Sequence, residues 1–175
     1  MNYEQYMKIA IEEALAGEKE GEPPFGGVLI DKDGNIIAKS HDTVVKEHNM
    51  TCHSELNLVK IASKKIGPDL SGCTVICVCE PCPLCFTALW LSKVNTVVFG
   101  STISDVLEIA NDIQRELNIP AEIMNEKSGK QIKIIKDVLR EECIQLWENH
   151  KLLQNKRGGV KYKKGRRKVN LINLI

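Results

Sequence analysis

The chain has 175 residues, of which 43% are hydrophobic and 27% charged, with a formal net charge of +1 and seven cysteines. The length suits one domain with a sizeable core, and the composition is that of an ordinary soluble globular protein rather than a disordered or fibrous one. No apolar run approaches the ~18 residues of a membrane span, and Met1-Asn2-Tyr3-Glu4 lacks the layout of a signal peptide.

A reducing, cytoplasmic compartment is therefore expected, in which the cysteines need no disulfides. Cys73, Cys77 and Cys143 read as buried small hydrophobes. The charge is unevenly spread. Residues 155–175 hold eight basic residues, from Lys156 to Lys168, and no acidic ones. Removing those eight from the formal +1 leaves residues 1–154 at about −7. Residues 1–154 read as one domain and 155–175 as a flexible basic tail.

Residues 4–16 show the apolar spacing of an amphipathic helix, punctuated by Gly17 and Gly21 and stopped by Pro23-Pro24. Phe25 to Ile30 reads as a strand, Asp31-Lys32-Asp33-Gly34 as a hairpin turn and Asn35 to Ser40 as the return strand. Gly26 and Gly27 inside a strand imply close backbone approach, either to a ligand or to a packed neighbour. Thr51 is placed to cap a helix over 52–65, with Leu56, Val59 and Ala62 facing a core. Thr74 to Val78 is a short apolar run suited to a buried central strand. Pro83 opens the next helix, and Thr96 to Gly100 is another strand. A helix is expected over 104–118, a strand over 131–135 and a last helix over 137–152 with Val138, Leu139, Cys143, Leu146 and Trp147 inward. This order implies an α/β protein with a mixed sheet covered by helices on both faces.

Two short runs carry chemistry. His53-Ser54-Glu55 and Pro81-Cys82-Pro83-Leu84-Cys85 both sit at predicted helix starts. Together they spell H-x-E and P-C-x-x-C, the signature of zinc nucleobase deaminases. One imidazole and two thiolates suit zinc with a fourth position open, where a bound water becomes a nucleophile near neutral pH. Glu55, two residues from the histidine, can shuttle protons without ligating the metal. Two duller readings stand beside this one. Cys79, Cys82 and Cys85 begin an iron–sulfur cluster run, though Ala88 and Leu89 stand where its fourth cysteine and proline belong. A closed zinc site on Cys79, Cys82, Cys85 and His53 is the other.

On these residues the chain resembles the cytidine deaminase-like superfamily, and within it the guanine deaminases and related nucleoside deaminases. The tRNA adenosine deaminases are the next most similar group. Pro24 to Ile30, Asp69 to Cys73 and Leu139 to Cys143 extend the resemblance over most of residues 4–152. It implies a three-layer α/β/α fold around a five-stranded sheet, and commonly a homodimer. It implies Zn2+ on His53, Cys82 and Cys85, Glu55 as the proton shuttle, and Phe25, Asp42 and Asp112 at or near the substrate. Core packing is the other reading of Phe25, and a solvated helix surface that of Asp112. Asp42 stands where these families place asparagine, and an ionised aspartate accepts hydrogen bonds but donates none. The expected activity is hydrolytic deamination of a nucleobase or nucleoside, with guanine as lead substrate. The alternatives are adenosine in tRNA, reached through the basic tail, and a noncatalytic zinc- or nucleic-acid-binding protein of this fold.

Overall fold

A computed structural model describes residues 1–110, 113–129 and 132–151. In chain order these form α1 (Tyr3–Glu20), β1 (Gly26–Ile30), β2 (Ile36–His41), α2 (Ser54–Ile66), β3 (Thr74–Cys79) and α3 (Pro83–Leu91). They continue with β4 (Thr96–Ser101), α4 (Ile103–Ala110), α5 (Ala121–Lys127), β5 (Lys133–Ile135) and α6 (Arg140–Glu148). The strands lie in the order β2-β1-β3-β4-β5. β1 is antiparallel to β2 and β3, while β3, β4 and β5 run parallel. The mixed sheet and three layers agree with the sequence reading. No helix among the described residues is long and apolar enough to cross a membrane.

Because successive strand residues point to opposite faces, the sheet divides the core in two. Val28, Ile30, Ile76, Val78 and Val98 join the apolar residues of α1, α4 and α6. Leu29, Val75, Cys77, Val97 and Phe99 join those of α2, α3 and α5. Continuous burial along β1, β3 and β4 explains why these strands read as unbroken apolar runs. Cys73, Cys77 and Cys143 are buried, as expected.

The two glycines of β1 answer to packing. A Cβ on Gly26 would lie 2.3 Å from the Ala14 amide nitrogen, and one on Gly27 3.0 Å from the Ile76 carbonyl. The close neighbours are α1 and β3, not a ligand.

Several boundaries differ from expectation. α1 runs through Gly17 and ends at Gly21, whose φ of 95° suits a glycine C-cap. Thr51 does not cap α2: its hydroxyl donates to Asn49 Oδ1 at 2.8 Å. Leu58 rather than Leu56 or Val59 is the fully buried leucine of that helix. Of the helix expected over 104–118, α4 covers Ile103–Ala110, residues 114–120 are irregular, and α5 starts afresh at Ala121. α6 begins only at Arg140, because Asp137 and Leu139 take left-handed φ values of 63° and 49°. Val138 and Leu139 are consequently only partly buried. The tail, 155–175, lies outside the described residues.

Helix side chains finish both edges of the sheet. On β2, Lys65 Nζ donates to the Ile37 carbonyl at 2.6 Å and Asn57 Nδ2 to the His41 carbonyl at 3.1 Å. Just before β5, Asn125 accepts from the Ile132 amide at 2.6 Å and donates to the Ile132 carbonyl at 2.7 Å.

Candidate active site

The two signature runs meet at the ends of β3 and β2. Pro83 occupies the first turn of α3 and holds the residue before it extended. Cys82, with φ −62° and ψ 166°, thus becomes the N-cap and leaves its thiol free of capping duty. His53 is the N-cap of α2 in the same way, without a side-chain cap bond. The capping that Thr51 was expected to supply comes instead from Asp42, whose Oδ1 accepts from the Ser54 amide at 2.6 Å. A carboxylate there complements the positive end of the helix. The loop that carries Asp42 is itself fastened. Glu22, buried, accepts from the Val45 and Lys46 amides at 2.9 and 2.8 Å. Asn57 donates to Thr43 Oγ1 and the Cys52 carbonyl.

His53 Nδ1 lies 3.7 Å from Cys82 Sγ and 3.5 Å from Cys85 Sγ. A tetrahedral zinc with ordinary Zn–N and Zn–S bonds separates such a nitrogen and sulfur by about 3.6 Å. The soft donor set and its spacing therefore fit zinc. Among the described residues, His53, Cys82 and Cys85 form the one group of such ligands that could share an ion. Cys79 is outside it, so the cluster run and the closed four-ligand site both lose a ligand.

The electrostatics are those of tightly packed donors. A hydrogen bond from Cys85, opposed by burial and aided by His53, pulls Cys82 down to about 4. The bond to Cys82 raises His53 to about 9. Cys85, bonded to Cys82 and buried, is pushed up.

Glu55 is buried against this candidate metal group. Its Oε2 accepts from Cys85 Sγ at 3.3 Å and from the Ser54 hydroxyl at 3.1 Å. Burial first, and the Cys82 charge second, raise its pKa. Burial also pushes the Asp42 carboxyl well up, with the Glu55 charge adding to the effect.

A narrow pocket opens beside these groups, lined by Phe25, Asp42, His53, Glu55, Cys82, Ile103 and Glu116, with Cys79 and Glu80 completing the wall. Phe25 has two neighbourhoods. It lines the pocket and packs edge-on against Trp147, with ring centroids 5.1 Å apart. Asp112 lies outside the described residues. Glu116 and Ile103 were not legible as site residues, since nothing in their local pattern marks them. Glu80 had one signal, a carboxylate inside the cysteine run. Glu116 is half-buried, its Oε1 accepts from Gln114 Nε2 at 2.8 Å, and burial raises its pKa.

Comparison with known proteins agrees with this geometry. Residues 1–101, more than half of the chain, match the cytidine and deoxycytidylate deaminase zinc-binding region. The chain is 35% identical to the tRNA-specific adenosine deaminase of Bacillus subtilis over 145 residues, covering 80% of this chain and 83% of that protein. It is 34% identical to the guanine deaminase of the same organism over 127 residues, covering 70% and 81%. The solved structure of a guanine deaminase from Nitrosomonas europaea superposes with a TM-score of 0.72 at 24% identity, over 84% of this chain and 83% of that one. The chain belongs to the cytidine and deoxycytidylate deaminase family of zinc-dependent hydrolases.

Proposed function

We propose that the substrate is free guanine, deaminated to xanthine and ammonia. The observation that carries this reading is the acidic pocket. Asp42, Glu55 and Glu116 face it, and among the described residues no lysine or arginine does. Guanine offers N–H donors at N1, at the 2-amino group and at the imidazole ring of the free base. Carboxylates are acceptors that match them. The base edge of adenosine offers only its 6-amino group as donor, and a phosphate near this wall would be repelled.

His53, Cys82 and Cys85 would hold the zinc, which supplies a Lewis acid and an activated water when bound. Glu55 Oε2 takes a proton from the attacking water and hands it to the ring nitrogen beside C2. It then takes the second proton, from the hydroxyl now on C2, and passes it to the amine; the C–O bond made by water's addition becomes the carbonyl as the C–N bond to ammonia breaks. The raised pKa of Glu55 suits a group that must hold a proton between these two transfers. Phe25 and Ile103 supply apolar surface for the ring, and Asp42 and Glu116 fix its orientation.

The second reading is adenosine in tRNA. It is favoured by the similarity to the Bacillus subtilis tRNA-specific enzyme and by the basic segment 156–168. One experiment separates the two: ammonia release from guanine, adenine, cytosine, their nucleosides and tRNA, by the full chain and by a chain lacking 155–175. Guanine turnover unchanged by the truncation is the expected result. Activity confined to tRNA, falling steeply with salt and lost with the tail, would overturn the guanine assignment.

A homodimer is part of the same proposal. α3 is apolar apart from Thr87, yet Leu84 and Leu91 are 47% and 66% exposed. Such a helix is ordinarily covered. Leu91→Glu is expected to convert a dimer to monomers in sedimentation. A parental monomer, or a variant of unchanged mass, would remove α3 as the interface.

A further inference from the structure

Glu80 stands between the end of β3 and Cys82, in the wall of the pocket, and is 6% exposed. Its two carboxylate oxygens serve two separate segments. Oε2 accepts from the Ile103 amide at 3.1 Å and Oε1 from the Ala121 amide at 2.8 Å. These are the first residues of α4 and α5. Helix-start amides have no intrahelical partner, and Pro120, the N-cap of α5, gives no side-chain cap. One carboxylate thus caps two helices.

What those helices carry gives the arrangement its meaning. Ile103 lines the pocket, and so does Glu116, five residues before Ala121 in the irregular stretch that α5 terminates. The Glu80 backbone is tied in turn to β4, its amide donating to the Ser101 carbonyl at 2.8 Å. We infer that Glu80 is a positioning residue, which sets Ile103 and Glu116 at a fixed distance from the zinc-ligating cysteines and thereby governs substrate affinity. The inference rests on the reading that the base lies between Glu55 and Glu116. Both Glu80 oxygens are engaged by fixed amides, so Glu80 takes no part in proton transfer; that work belongs to Glu55.

The test uses the full-length zinc protein and whichever substrate it deaminates. A wrong base assignment then appears as absence of guanine turnover in the unmodified protein and leaves the comparison readable. Glu80→Gln keeps the size but turns one oxygen into an NH2 that cannot accept. Glu80→Asp keeps the charge but is too short to reach both amides. In either variant, hydrogen exchange at the Ile103 or Ala121 amide is expected to quicken about tenfold, with the Val98 amide in β4 unchanged. KM should rise about tenfold with kcat falling much less, and zinc content should stay at the parental value. Glu116→Gln should raise KM too, and the double variant no further than the more affected single one, because one effect acts through the other. Unchanged exchange at both amides, multiplicative effects on KM, a loss confined to kcat, or no effect of Glu116→Gln would each overturn the inference. If both Glu80 variants fail to fold, the role is structural and the inference falls as well.

Discussion

Glu55→Gln is expected to retain zinc, fold and thermal midpoint while turnover drops by about 10²–10⁴-fold, the usual contribution of a positioned general acid–base group. The substitution is nearly isosteric in a buried site, and the amide can still accept from the Ser54 hydroxyl that meets Oε2 at 3.1 Å. What it loses is proton capacity. Steady-state ammonia release, read beside metal analysis of the same sample, decides the matter. Turnover at the parental rate would take Glu55 out of the chemistry. A lowered rate accompanied by zinc loss would mean that the carboxylate supports the metal and not the proton transfer.

Cys82→Ala should produce the largest loss of stability. Zinc should fall from about one per chain to a small fraction of that, because two remaining ligands hold the ion weakly. A metal present at a thousand times its dissociation constant stabilises the folded state by about 4 kcal/mol, and most of this should vanish. The control is the chelated parental protein, whose unfolding midpoint should lie close to that of the variant, since Cys82 is only half-buried and its truncation leaves little void. Retention of full zinc by Cys82→Ala would break the ligand assignment. A brown, iron-containing parental protein would bring back the cluster reading despite the position of Cys79.

The candidate metal group of His53, Cys82 and Cys85 was legible in the sequence because its logic is local. His53 and Glu55 belong to one helix turn, Cys82 and Cys85 to another, and proline fixes the second start. The central strands were legible for a similar reason, as short apolar runs between turn residues. The pocket wall opposite Glu55 was not. The Ile103 and Ala121 amides both meet the Glu80 carboxylate, more than twenty residues away in the chain, and Glu116 lies in the irregular stretch between them; no periodicity encodes such contacts. The cap of α2 failed as a prediction for the same reason. Thr51 is the right kind of residue nearby, but Asp42, twelve residues before Ser54, reaches the amide first. The glycines of β1 show the limit of a correct inference. Close approach was right, but the sequence could not say that the neighbour is the backbone of α1.

The helix side chains bonded at the rims of the sheet have a consequence for assembly. A strand of another molecule adds to a sheet by pairing with unfilled amides and carbonyls along an edge. Here Lys65 and Asn57 already occupy carbonyls of β2, and Asn125 occupies both polar groups of Ile132 beside the three-residue β5. These bonds hinder strand addition at the groups they fill. Contact through one helix face shared by two copies, by contrast, closes on itself at two subunits.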